Sequence, residues 1–222
     1  MGLHIEQELD KLKNAIVKIG QLSEHQIIEC SNALLATDDV HAKEVRKTEQ
    51  KIDKLDIKIE EICLNILALQ QPVASDLRFI MSAIHISNEM ERIGDLAVSV
   101  IKKTKHIKAK HDLVMKHQID LIAHDIVAIT AQTNAAFIGL NESDLSLIFH
   151  QNTAIKKASE AAIESLIAEM KENSKTVASA TNLIIVLKHL ERISDHCTNI
   201  AESVYFMVHA KIIKHNKFPE QG

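Results

Sequence analysis

Met90–Lys102 reads MERIGDLAVSVIK, and one hundred residues later Leu190–Glu202 reads LERISDHCTNIAE. The Glu-Arg-Ile-x-Asp core returns in the same phase of the same apolar periodicity. Self-similarity at a fixed spacing points to a duplicated structural unit. Two copies are too few for a solenoid, so the chain is constrained to a tandem arrangement of two similar bundles.

The rest of the sequence supplies the elements. Among 222 residues there are five Gly and two Pro, so little interrupts a helix. Aromatic residues make up 3% and Trp is absent, so any core must be built from Leu, Ile, Val and Ala. Apolar residues recur at helical spacing almost throughout, beginning with Ile5, Leu9, Leu12, Ile16 and Ile19. A first helix is predicted to about Leu35, followed by Thr37, Asp38 and Asp39 as capping residues. A second is predicted from Val40 to Leu69, ended by Gln71-Pro72, and a third from Val73 to Ile107 with Ser75 and Asp76 in its first turn. A fourth covers Leu113–Leu140, with Asn141–Asp144 as turn and cap, a fifth Leu145–Met170, and a sixth Val177–Ile213. The expected fold is all-α, two tandem antiparallel three-helix bundles made of six long helices. The first repeat occupies 1–110 and the second 111–222.

Bulk properties exclude several function classes. The net charge is -4 and no basic tract stands out, which argues against nucleic acid as a partner. The densest basic stretch, Lys102–His111, suits a helix C-terminus and its linker. Cys30, Cys63 and Cys197 share no metal spacing, and an odd number argues against a disulfide framework. They read as small buried hydrophobes. The amphipathic, acid-containing N-terminus resembles neither a signal nor a transit peptide. No stretch approaches the roughly 20 apolar residues of a membrane span. The expectation is a reduced, soluble, cytoplasmic protein.

Chemistry concentrates on the last helix of each half. Lys188, Glu191, Asp195, Asn199 and Glu202 follow steps of 3, 4, 4 and 3 and share one helix face. Asn88, Glu91, Asp95, Ser99 and Lys102 repeat the arrangement. Ile84, Ile93 and Val100, with Leu183, Leu190, Ile193 and Ile200, form the apolar stripe beside it. Carboxylates at i and i+4 repel each other. Arg92 and Arg192 adjoin the first acid of each pair, but at i+1 they are expected to point elsewhere. A hard cation would relieve the repulsion, and carboxylate and amide oxygens suit Mg, Mn, Ca or Fe. Glu49 and Asp53 offer a second acid pair on the preceding helix. The alternative is a solvated polar face, the ordinary meaning of one such pair on an amphipathic helix. In-register repetition weakens that alternative, although duplication alone would also preserve a pattern. Of thirteen histidines, His196, His85 and His189 lie near the stripes, where surface or capping roles are the plainer reading.

Two stretches carry a family resemblance. QQPVASDLRFIMSAIHISNEMERIGDLA (Gln70–Ala97) and LKHLERISDHCTNIAESVYFMV (Leu187–Val208) resemble the paired signatures of the PhoU proteins, regulators of bacterial phosphate uptake. The resemblance implies two similar three-helix bundles, often dimeric, with metal-binding E/D-x-x-x-D motifs. Carried onto this chain, those motifs are Glu91 with Asp95 and Glu191 with Asp195. Asn199 and Glu202 extend the second, and Glu49 and Asp53 match the helix that faces the first. The implied cofactors are carboxylate-bound metal ions (Fe, Zn, Mn or Mg). The implied role is to restrain phosphate uptake and the phosphate-starvation response, by contact with the ATPase subunit of the phosphate ABC transporter and with a sensor histidine kinase. The second half departs from the pattern. His150–Glu164 lacks a clear acid pair and places Lys156 and Lys157 in that region, and in the first half Ser99 and Lys102 replace Asn and Glu.

Other classes fit less well. A carboxylate-bridged di-iron enzyme of the ferritin-like kind needs Glu-x-x-His pairs. No histidine here has Glu three residues before it, and only His41 has an acid there, Asp38. No Gly-rich phosphate loop supports nucleotide hydrolysis. An enzymatic role is therefore not expected. A helical scaffold without metal remains the rival to the metal-binding regulator.

Overall fold

The computed structural model describes residues 2–36, 39–107, 110–140 and 142–213. Among them every regular element is helical: α1 (Gly2–Leu35), α2 (Val40–Gln70), α3 (Ser75–Thr104), α4 (Lys110–Lys116), α5 (Ile119–Gly139), α6 (Glu142–Glu172) and α7 (Val177–His209). A single 3-10 turn, Ser174–Thr176, joins α6 to α7. The helices α1, α2 and α3 pack on one another, as do α5, α6 and α7. The chain is thus all-α, two three-helix bundles in tandem.

The bundles are joined along two seams, α3 against α7 and α1 against α5. On the first seam Ser82 Oγ donates to the Ser203 carbonyl, and further along Glu89 accepts from Asn199 at 2.9 Å. Earlier residues of α3 meet later residues of α7, so the two motif helices run antiparallel. On the second seam Gly20 lets the helices approach closely. Asn134 Nδ2 donates to its carbonyl at 2.9 Å, and a Cβ at Gly20 would lie 2.7 Å from Asn134 Oδ1. The core is aliphatic: Leu12, Ile16 and Ile52 in the first half, Ile129, Ile155 and Leu187 in the second are each fully or almost fully buried. The stripe residues Ile93, Val100, Leu183, Leu190, Ile193 and Ile200 lie in it, and Ile84 packs on its edge. The three cysteines are buried and unpaired; burial pushes the Cys30 and Cys63 thiols up to about 12 and that of Cys197 up to about 11.

The structure corrects several sequence expectations. The fourth predicted helix is broken in two at His117-Gln118, where Gln118 adopts φ 55°. Neither Gly nor Pro marks the break. Tertiary contact sets it: His117 is buried with Nδ1 2.8 Å from Ser165 Oγ of α6, while α4 turns to pack on α1. The third and sixth predicted helices overran, because α3 spans Ser75–Thr104 and α7 stops at His209. Asp39 stands at the N-cap of α2 without a capping hydrogen bond, and its carboxylate faces Lys105 at 3.7 Å. Thr37, Asp38 and Asn141 lie outside the described residues, as do the side chains of the rest of the Asn141–Asp144 turn. Finally, α5 is long and apolar enough to cross a membrane, with a mean hydropathy of 1.3. Half of that window is buried in the bundle, and contact with α6, α7 and α1 explains a helix apolar on more than one side.

The second helix ends at the predicted Gln71-Pro72 stop, but other helix ends lack a local stop signal. Gln71, Gln118, Leu140 and Ala210 all adopt left-handed conformations where glycine is the usual choice. Each costs roughly 1–2 kcal/mol, less in total than the burial of a few Leu or Ile side chains at about 1.5–3 kcal/mol each. Ala210 is exposed at the C-terminus of α7 with φ 54°. Ala210→Gly is expected to stabilise the protein by about 0.5 kcal/mol, the relieved strain outweighing glycine's extra unfolded-state entropy. Thermal melting should show a small rise in Tm.

Candidate functional site

In the first half the structure gathers the predicted acids on facing surfaces of α2 and α3. Glu49 leads the cluster. Its Oε2 accepts a hydrogen bond from Gln26 Nε2 of α1 at 2.5 Å, and Gln26 is itself fully buried and also donates to the Val45 carbonyl at 3.1 Å. Gly94 makes room for this pair. A Cβ there would lie 2.5 Å from Glu49 Oε2 and 2.9 Å from Gln26 Oε1. The other carboxylate oxygen, Glu49 Oε1, is buried without a hydrogen-bond partner. Burial, and then the charges of Asp53, Asp95 and Glu91, push the Glu49 carboxyl up to about 7, against the hydrogen bond from Gln26. Burial and the charges of Asp95 and Asp56 raise Asp53. Burial and Asp95, followed by Asp56 and Asp53, raise Glu91 against the influence of Arg92. The four predicted acids therefore share one electrostatic field.

Two neighbours of this cluster escaped the sequence reading. Asp56 continues the Glu49-Asp53 spacing around α2 and accepts from Ser87 Oγ at 2.5 Å, so a signal for it existed. Gln26 had none, because a lone Gln on an otherwise apolar face has no motif. Arg92 also behaves differently from expectation. It folds back to lie 3.4 Å from both Glu91 and Asp95, although it is largely exposed. An exposed guanidinium at that distance contributes little, and Glu91 stays raised in spite of it.

The donor chemistry of this cluster fits a hard cation. The ligand atoms are carboxylate oxygens, one of them buried and unsatisfied, and the repulsion among them is unresolved within the chain. Glu49, Asp53, Glu91 and Asp95 would hold the ion, which would supply the missing positive charge. Among the described residues no group of three or more His, Cys, Asp or Glu side chains stands close enough together to hold a metal ion as placed, so these side chains would have to move to close around one. Asp53 and Asp95 are exposed, with side chains not locked by packing.

The second half places its predicted residues differently. Asp195 Oδ1 lies 2.6 Å from Lys156 Nζ and accepts from Asn152 Nδ2 at 3.1 Å. Asn152 Oδ1 in turn accepts from Ser194 Oγ at 2.7 Å. Glu191 is held by Lys188, whose Nζ lies 2.8 Å from both carboxylate oxygens. Glu191 and Asp195 thus each have an ammonium partner within the chain. Asn199 and Glu202 turn away from this group. Asn199 donates to Glu89 of α3, which His196 Nδ1 also meets at 2.6 Å, and Glu202 lines a groove of about 520 Å³ between α3 and α7. The residues read as one stripe thus meet different neighbours along α7, α6 at Asp195 and α3 at Asn199. Glu89 was missed because its partners lie more than a hundred residues away.

Comparison with known proteins bears on both halves. The family model for the PhoU domain matches residues 16–104 and again 119–204. The chain belongs to the PhoU family. It is 30% identical over 96% of its length to the phosphate-specific transport system accessory protein PhoU homolog of Pseudomonas aeruginosa, covering 90% of that protein. It is 26% identical over 94% of its length to the PhoU accessory protein of Serratia marcescens, covering 86% of it. The crystal structure of PhoU from Pseudomonas aeruginosa superposes with a TM-score of 0.84 at 28% identity, over 93% of this chain and 99% of that one. The PhoU structure from Streptococcus pneumoniae, at 23% identity and a TM-score of 0.84, shares the fold.

The raised carboxyl of Glu49 makes stability depend on pH. Between its ordinary value and about 7 the folded chain binds more protons than the unfolded chain, so stability falls as pH rises through that window. Asp53 and Glu91 act in the same direction. Metal-free protein is expected to melt at a higher temperature at pH 5 than at pH 8. Glu49→Gln should flatten the dependence. Gly94→Ala should flatten it as well, by driving the carboxylate out of its pocket, and a helical circular dichroism spectrum should confirm that the fold survives.

Proposed function

We propose that this PhoU-family chain is an accessory regulator of phosphate transport that works by docking and not by catalysis. The observation that carries the reading is the family match in both halves, together with relatives named as accessory proteins of phosphate-specific transport systems. On this reading the chain acts in the cytoplasm as a homodimer. It contacts the ATPase subunit of a phosphate ABC transporter and a sensor histidine kinase, limiting uptake and holding the starvation response off when phosphate is plentiful. The first-half acids bind metal (Fe, Zn, Mn or Mg), with the oxygen-only donor set favouring the harder ions.

Two experiments test this. Affinity purification with cross-linking from phosphate-replete cells should recover the importer ATPase or the kinase. Repeated recovery of neither would favour a scaffold of another kind. Separately, Glu91→Ala with Asp95→Ala should abolish metal found by elemental analysis of protein purified without chelator, while helical circular dichroism stays the same. Metal retained at the wild-type ratio would remove the first-half cluster as the site.

A further inference from the structure

The duplication supplies an internal comparison that the sequence alone left unaligned. Gly94 and Ser194 are equivalent positions in the two motif helices, one hundred residues apart. Glu49 of α2 sits against Gly94, and Asn152 of α6 bonds to Ser194. Asn152 therefore stands where the first half has Glu49. One helical turn further on, Lys156 stands where the first half has Asp53. Asp95 and Asp195 are likewise equivalent. In the first half the charge of Asp95 acts on Asp53. In the second half Asp195 meets Lys156 Nζ at 2.6 Å.

We infer that Lys156 is a resident counter-ion that takes the place of the metal in the second half, so that the chain binds metal in its first half alone. Three substitutions make the exchange. Asn152 replaces a buried anion with a neutral amide that donates to Asp195. Lys156 replaces an anion with a cation of fixed reach. Ser194 fills the gap that Gly94 leaves for the Glu49 carboxylate, and its hydroxyl donates to Asn152 Oδ1. Lys188 completes the neutralisation by clasping Glu191 with both oxygens at 2.8 Å. A divalent cation arriving at Asp195 would have to displace a covalently tethered ammonium and would meet the Nδ2 donor of Asn152, whose oxygen is already engaged by Ser194.

This inference rests on the reading that the first-half acids bind metal, and the test separates the two. Chelator-treated proteins would be dialysed against Mn²⁺, with bound ion counted by elemental analysis and free ion by electron paramagnetic resonance. Asp195→Ala in the wild type should leave bound Mn²⁺ unchanged, whereas Glu91→Ala/Asp95→Ala should remove it. In that depleted background, Asn152→Glu/Lys156→Asp/Ser194→Gly should restore binding. Loss of Mn²⁺ in Asp195→Ala, or no binding by the folded graft, would overturn the inference. Binding by the graft in a protein whose wild type binds none would uphold Lys156 as the counter-ion of the second half and overturn metal binding in the first. A readout independent of metal covers a graft that fails to fold. Lys156→Gln and Asp195→Asn should be non-additive in Tm, the double variant recovering part of the loss, and strict additivity would count against a counter-ion role.

Discussion

Everything else in this molecule is arranged around the antiparallel contact between α3 and α7. Each motif helix packs within its own bundle and also against its duplicate, so three of its sides face protein. A helix in that position has little free surface, and several of its polar residues find their partners on a neighbouring helix. The acids at Glu91 and Asp95 look toward α2, those at Glu191 and Asp195 toward α6 and Lys188, and Asn199 toward α3 across the seam. The doubled motif is therefore less a surface decoration than the set of polar positions left over once two helices have been buried back to back.

This explains why local chemistry differs so sharply between halves that share a backbone. A partner helix contributes one or two side chains at each polar position, and a few exchanges there change the charge of the site. Glu49 against Gly94 leaves an unsatisfied buried oxygen and a carboxyl pushed up to about 7. Asn152 against Ser194, with Lys156 one turn on, leaves a neutral hydrogen-bonded chain. The backbone tolerates both because the difference lies at the tips of side chains.

How much of this was legible in the sequence follows from the range of each interaction. Helix type and order rest on periodicity over many residues, which is why Ile16, Ile52, Ile93 and Leu190 could be placed in a core from spacing alone. The break at Gln118 rests on the His117–Ser165 contact with a distant helix, and no local residue signals it. Within the site, Glu49, Asp53, Glu91 and Asp95 were readable because acids at i and i+4 need compensation. Gln26 and Glu89 were not, since each acquires its role only from a helix far along the chain. Asn199 and Glu202 share the helix face of Glu191 and Asp195 but lie one and two turns beyond Asp195, where α3 rather than α6 is the neighbour.

The tether at Lys156 has a consequence for how the molecule answers its surroundings. A covalently attached ammonium is present at an effective concentration that a free ion rarely reaches, and it does not vary with supply. The half built around Glu49 has instead a carboxyl pushed up to about 7 and one buried carboxylate oxygen without a hydrogen-bond partner. Duplication has thus produced one half whose acids carry an unrelieved mutual repulsion and another in which a tethered ammonium meets the acid, the two packed together along α3 and α7.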